Sequence, residues 1–207
     1  MRVETYTVTH NEEHRLPWYF ECYAWADAHF VIDNGSTDRT QDIARANPKA
    51  TLLHYESDGL DDDAMLRVKE HCWRESKADW VIVGDVDEHL THPDIRMMLL
   101  NVMSLQDVVT LHNDDLSCTI LLPAKAYTMM SRTEPKHYTE MMRGYEDEPY
   151  RKAICFRPDM VQSVNWNHGC HKAEPKGERI IYGLPSQLYF KPFHHGGLER
   201  TVQRYKE

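Results

Sequence analysis

The chain contains no apolar run approaching the roughly 20 residues of a membrane span, so no spanning helix is expected. Its N-terminus lacks the apolar core of a signal peptide, and Met1 to Tyr6 reads instead as a first strand. Cysteine is sparse. Cys22, Cys72, Cys118, Cys155 and Cys170 are odd in number, scattered, and contain no CxxC pair. That pattern excludes a disulfide framework and points to free thiols in a reducing compartment, with the cytoplasm as the expected location. Cations are also short: 24 Lys and Arg face 33 Asp and Glu, for a net charge of −9. A nucleic-acid-binding surface is normally basic, so that class of partner is disfavoured. Repeats, low-complexity tracts and linkers are absent, which leaves residues 1–207 as a single domain. With 41% hydrophobic and 28% charged residues, the composition is that of a globular protein. An acidic protein that binds a phosphorylated ligand needs local compensation. A metal, a helix N-terminus or a few placed cations would supply it.

What is present alternates clearly through the first half. The pattern predicts strands at Val3 to Thr9, Phe30 to Ile32, Thr51 to Tyr55 and Trp80 to Val86. Helices are predicted at Glu12 to Trp25, Asp38 to Ala46 (capped by Ser36 or Thr37) and Asp61 to Lys77. Strands separated by helices of this length form βαβ units, so the expected fold is α/β with a mainly parallel sheet. After Pro93 a short helix, Asp94 to Met103, precedes a change of pattern. Val108 to His112, Thr119 to Leu122, Ala153 to Phe156, Val161 to Trp166 and Gln187 to Phe193 read as strands of a mixed or antiparallel part. Glu134 to Tyr150 reads as a helix plus a mobile loop. Leu198 to Glu207 reads as a helix that stops abruptly, as in a domain of a longer polypeptide.

The chemistry concentrates in Trp80-Val81-Ile82-Val83-Gly84-Asp85-Val86-Asp87-Glu88. A wholly apolar run ending at Gly is a strand buried on both faces. On an extended chain, residues i and i+2 point the same way, roughly 6–7 Å apart. Asp85 and Asp87 are therefore expected to face one site at a strand's carboxyl end, where open α/β sheets bind ligands. Two carboxylates there repel unless a positive group sits between them, and a divalent metal carrying a phosphorylated ligand is the simplest one. Solvated acidic turns at strand ends give the same tripeptide.

Two further motifs fall on the same edge. Asp33-Asn34-Gly35-Ser36-Thr37-Asp38 follows a strand and opens a helix. Helix capping accounts for Ser36, Thr37 and Asp38 but not for Asp33, whose acceptor-only carboxylate would suit the imide N–H of uracil. Thr9-His10-Asn11-Glu12-Glu13 closes the first strand, and an acidic first helical turn explains Glu12 and Glu13 equally well.

Asn11-Glu12-Glu13, Leu16-Pro17, Asp33 to Asp38 and Ala78 to Glu88, in this order and spacing, resemble glycosyltransferase family 2 and its relatives over roughly the first hundred residues. The resemblance implies the GT-A fold. Residues 1–100 would form the nucleotide-sugar-binding half and residues 101–207 the acceptor-binding half. It also implies that the DxD motif holds Mn²⁺ or Mg²⁺ on the donor diphosphate. Carried over by position, Asp33 and Asn34 would lie against the base, and Thr9, His10, Asn11 and Glu12 would line the nucleotide sugar. Asp87 would ligate the metal. Asp85, beside Val86, would take the ribose or the metal. A family basic residue falls near Lys69, with Arg67 close by; either would reach the diphosphate, and a solvated helix face is the alternative. The pattern Lys152 to Pro158, Gly169-Cys170-His171 and Pro175-Lys176-Gly177 is similar to a narrower group, bacterial and from large algal viruses. In that group a capsid glycan would be the acceptor.

His171 is the expected third metal ligand, with a zinc site of His168, Cys170 and His171 or an acceptor contact as alternatives. The catalytic base of an inverting transfer is expected at Asp147 or Glu146, ahead of Asp114, Asp115, Glu140, Glu148 and Glu88. The expected activity is therefore metal-dependent transfer from a UDP-sugar to a glycan or glycoprotein. A nucleotidyltransferase would carry a Gly, Arg or Lys-rich loop where this chain has His10 to Glu13. A non-catalytic sugar-binding module would not need Asp33, Asp85 and Asp87 together.

Overall fold

In the computed structural model the described residues are 1–57, 61–112, 119–121, 125–131, 135–141, 143–146, 153–166, 173–177, 180–182, 189–192 and 195–196. The first half runs β1 (Val3–Thr9), α1 (Leu16–Cys22), β2 (Ala28–Asp33), α2 (Thr40–Ala46), β3 (Ala50–His54), α3 (Asp62–His71) and β4 (Trp80–Asp85). It continues with β5 (Glu88–Thr91) and α4 (Ile95–His112). Beyond α4 come β6 (Thr119–Leu121), β7 (Lys125–Ser131), a 3₁₀ turn (Tyr138–Glu140), β8 (Arg143–Glu146) and β9 (Cys155–Phe156). Then follow β10 (Ser163–Trp166), β11 (Ala173–Lys176), β12 (Ile180–Tyr182), β13 (Tyr189–Pro192) and β14 (His195–Gly196).

The central sheet has the order β3-β2-β1-β4-β9. Its first four strands are parallel, and β9 joins β4 antiparallel. A second sheet, β14-β7-β13-β5 with β8 on β7, mixes parallel and antiparallel pairs. The expected architecture is therefore present: a mainly parallel α/β sheet followed by a mixed part. Among the described residues, no helix is long and apolar enough to cross a membrane.

β4 explains why the sheet holds. Trp80 and Ile82 face one way, into a cluster with Leu16 and Tyr19 of α1, Tyr23 at its C-cap, and Met98 and Leu99 of α4. Val81 and Val83 face the other way, into a cluster with Trp73, Phe156, Val164 and Trp166. A strand covered on both faces has no solvent side, so its sequence is continuously apolar.

Several local expectations are corrected. α1 starts at Leu16 rather than Glu12, because Asn11 takes a positive φ of 54° and residues 13–15 turn before the helix begins. α2 starts at Thr40, with Arg39 at its N-cap and no side-chain cap from Ser36 or Thr37. α3 ends at His71, not Lys77, and its N-cap Asp61 accepts from the Ala64 N–H at 3.1 Å. Val108 to His112 is the last part of α4, not a strand; an apolar run of that length has no period of its own and continues whichever element it joins. Within Glu134 to Tyr150, the described residues form a 3₁₀ turn and strand β8 rather than an α-helix. The stretch Leu198 to Glu207 lies outside the described residues.

Candidate active site

The register of the parallel strands sets Thr9 opposite Asp33 and Val8 opposite Asp85, so β1, β2 and β4 deliver their last residues to one edge. Three loops leave from that edge.

The first two loops are tied together. Asn11 donates its N–H to Ser36 Oγ at 2.9 Å, and its side-chain oxygen accepts from the Thr37 N–H at 2.8 Å. His10 Nδ1 faces the Asn34 carbonyl at 2.6 Å, and a carbonyl only accepts, so Nδ1 carries the proton. The Glu12 N–H donates to Thr40 Oγ1 at 2.7 Å, and the Glu13 N–H to Asp38 Oδ2 at 3.0 Å. Asn34 bonds Ser57 through both ends of its amide. Gly35 has φ 61°, the conformation the turn requires. Burial works against the ionised Asp38 carboxyl, but donors from Thr40 and Glu13 hold it below the ordinary aspartate range.

Asp33 is 0% exposed, and its carboxylate takes four donors. Oδ1 accepts from Thr9 Oγ1 at 3.2 Å and Ser36 Oγ at 2.5 Å. Oδ2 accepts from the Ser36 N–H and from Gln41 Nε2, each at 2.9 Å. These occupy the acceptor capacity of a carboxylate. Asp33 therefore stands as the organiser of the loop, not as the open acceptor that a uracil N–H would need. Gln41, which completes this arrangement from α2, was not singled out from the sequence, because an exposed-looking helix Gln carries no pattern.

The third loop differs from its expected geometry. β4 ends at Asp85, and Val86 and Asp87 form a turn before β5. The i, i+2 relation of one extended strand thus does not hold for Asp85 and Asp87. Glu88, 1% exposed, folds back so that its carboxylate accepts the Asp85 N–H at 2.9 Å. A Cβ on Gly84 would come within 3.1 Å of that carboxylate oxygen, so the glycine admits it. Tyr23 donates to the Glu88 carbonyl at 3.0 Å and accepts from the Leu90 N–H at 2.8 Å, fixing the far side of the turn.

Lys69 is fully buried, not on a solvated face; its amine pairs with Asp85 and lies 5.3 Å from the centre of the Trp166 ring. Arg67 is exposed, as the solvated-face alternative has it. Arg15, also unmarked in the sequence, is 5% exposed and reaches both Glu12 oxygens at 3.2 Å and Asp87 Oδ2 at 3.9 Å. Its only trace in the sequence is the i, i+3 spacing from Glu12.

At this edge the described residues bring together five carboxyl side chains (Glu12, Asp33, Asp85, Asp87, Glu88) and two buried cations (Arg15, Lys69). That acidic excess suits a divalent cation and would repel a bare diphosphate. No group of three potential ligands is assembled among the described residues. His171, His168, Cys170, Asp147, Asp114, Asp115 and Glu148 lie outside them. Glu146 ends β8, opposite Tyr127 of β7. Glu140 is exposed and accepts the Lys136 N–H at 3.1 Å.

No protein-family model and no curated protein matches the sequence. Solved structures do. The crystal structure of S. aureus TarS 1-349 in complex with UDP is similar with a TM-score of 0.55 at 13% identity, over 92% of this chain and 60% of that one. The same fragment in complex with UDP-GlcNAc gives 0.53 at 14% identity, over 96% and 60%. A longer S. aureus TarS structure gives 0.50 at 12%, over 93% of this chain and 37% of that one. This chain thus spans 60% of the length of the TarS 1-349 structures. The likeness shows the fold, the GT-A α/β arrangement that the motifs imply.

Proposed function

We propose that the chain is a glycosyltransferase that uses a nucleotide sugar, with a UDP-sugar as donor. The observation that carries this reading is the meeting of three motif loops at the carboxyl edge of β1, β2 and β4. The same fold in S. aureus TarS holds UDP and UDP-GlcNAc, which supports the choice of donor. In this reading the Thr9 to Glu12 loop and the Asp33-Asn34 turn form the nucleotide pocket, with Asp33 shaping it from beneath. Asp85 and Asp87 hold Mn²⁺ or Mg²⁺, with His171 as a further ligand. The ion would neutralise charge on the leaving diphosphate as the glycosidic bond breaks. Lys69 keeps Asp85 oriented, and Glu88 holds the backbone of the turn. Asp147 or Glu146 is proposed to take the acceptor proton. The acceptor is a glycan or glycoprotein hydroxyl, a capsid glycan if the viral resemblance of residues 152–177 extends to substrate. Among the described residues, Cys22, Cys72 and Cys155 form no disulfide, in keeping with a cytoplasmic setting.

The test is thermal unfolding in the presence of UDP, UDP-GlcNAc, ADP and CDP, each with and without Mn²⁺. The expected result is a rise in melting temperature with UDP compounds that is largest with Mn²⁺, since ligand bound only to the folded state stabilises it by mass action. No shift with any uridine nucleotide would remove the proposed activity.

A further inference from the structure

We infer that Arg15 is a positioning residue of this site, joining the loop after β1 to the turn after β4 and holding Asp87 in place for the cation. The inference rests on the donor and metal reading above and adds a residue that the motifs do not contain.

Three observations carry it. The guanidinium is buried, at 5% exposure, and a buried guanidinium is costly unless it is paired. One nitrogen, Nη1, serves two loops: it donates to both Glu12 oxygens at 3.2 Å and stands 3.9 Å from Asp87 Oδ2. The third observation is the inequality of those distances. Glu12 takes the hydrogen bonds, while 3.9 Å is an ion-pair distance and too long for a hydrogen bond. Arg15 therefore attracts the Asp87 carboxylate, itself only 3% exposed, without using it as a hydrogen-bond partner. Groups that orient a ligating carboxylate commonly set metal affinity by a factor of ten to a hundred. Glu12 acquires a role of its own: it keeps the guanidinium from closing on Asp87.

The experiment is a Mn²⁺ titration of the whole chain, followed by electron paramagnetic resonance in the presence of UDP, for wild type, Arg15→Met, Arg15→Lys and Glu12→Gln. Unliganded melting curves establish that each is folded. Arg15→Met is expected to weaken Mn²⁺ binding about 10- to 100-fold. Arg15→Lys should recover most of that loss, because the task is a placed charge and not a bidentate fork. Glu12→Gln should also weaken binding, since the released guanidinium closes on Asp87; it decides the matter if Arg15→Met does not fold. Unchanged Mn²⁺ affinity in Arg15→Met or Glu12→Gln, or an Arg15→Lys variant as poor as Arg15→Met, would overturn the inference. Those results require a wild type that binds Mn²⁺ with UDP. A wild type that binds neither overturns the donor and metal reading itself, and the inference falls with it.

Discussion

Buried polar residues in β1 and β2 have different jobs along the same strands. At the site end, Asp33 satisfies four donors. At the opposite end, Glu4 accepts from Arg2, Tyr6 and Ser76; burial opposes its ionised form, but those bonds keep its carboxyl below the ordinary glutamate range. Between them His29, 1% exposed, meets Thr5 Oγ1 at 2.8 Å. Burial, and secondarily Lys49, lowers its pKa from 6.5 to about 4. The unfolded chain therefore binds a proton at His29 near pH 6.5 while the folded chain resists until about pH 4. Stability is full above 6.5 and falls through this window as pH drops, by at most about 3 kcal/mol from this residue. Urea unfolding across that range should show the slope, and His29→Gln should flatten it. An equal slope in both proteins would assign it elsewhere.

At the scale of elements, the turn between β4 and β5 is the part most dependent on one small residue. Gly84 leaves room for the Glu88 carboxylate, which takes the Asp85 N–H. Gly84→Ala places a methyl carbon at 3.1 Å from that oxygen, and the buried Glu88 side chain has to shift. The expected loss is about 1 kcal/mol of stability for a broken buried hydrogen bond, together with weaker Mn²⁺–UDP binding as Asp85 is released. Melting and nucleotide titration on one variant check both. Normal binding with lowered stability would show that Glu88 supports the fold but not the site. The elements also account for the legibility of the motifs. The Asp33 to Asp38 and Asp85 to Glu88 segments were visible because Gly, Asp and Ser cluster after apolar runs. The i, i+2 geometry of Asp85 and Asp87 was not, because nothing in Asp-Val-Asp says whether the strand continues or turns.

At the scale of the molecule, β9 binds the second half of the chain to the first. Phe156 is 0% exposed, pairs with Val81 across β4 and β9, and meets the Trp73 ring edge-on with centroids 5.0 Å apart. Phe156→Ala should cost about 3–5 kcal/mol and lower one cooperative transition, followed by both far-UV signal and tryptophan fluorescence. Two separated transitions would instead mean that residues 1–100 unfold independently of the rest. Trp166 of β10, in the same cluster as Phe156, lies against Lys69, so α3, which carries one of the site's two cations, is held from the second half.

The sequence by itself determined the alternation of strands and helices through Asp85 and the edge of the sheet on which the motif residues fall. Period, apolar runs and turn residues are local properties, and parallel βαβ units leave few ways to arrange them. Only the tertiary structure decided which charges face each other. Arg15 before α1 looks like an ordinary surface cation along the chain, and nothing local marks Lys69 on α3 as buried. They become buried partners of Asp85 and Asp87 because α3 packs against one face of β4 while the loop after β1 crosses its end. Pairing across 16 and 72 residues is set by how the layers stack, and no local pattern encodes it. For the same reason Asp33, a carboxylate that read as open to a ligand, is enclosed by Thr9 and Gln41 from two other elements.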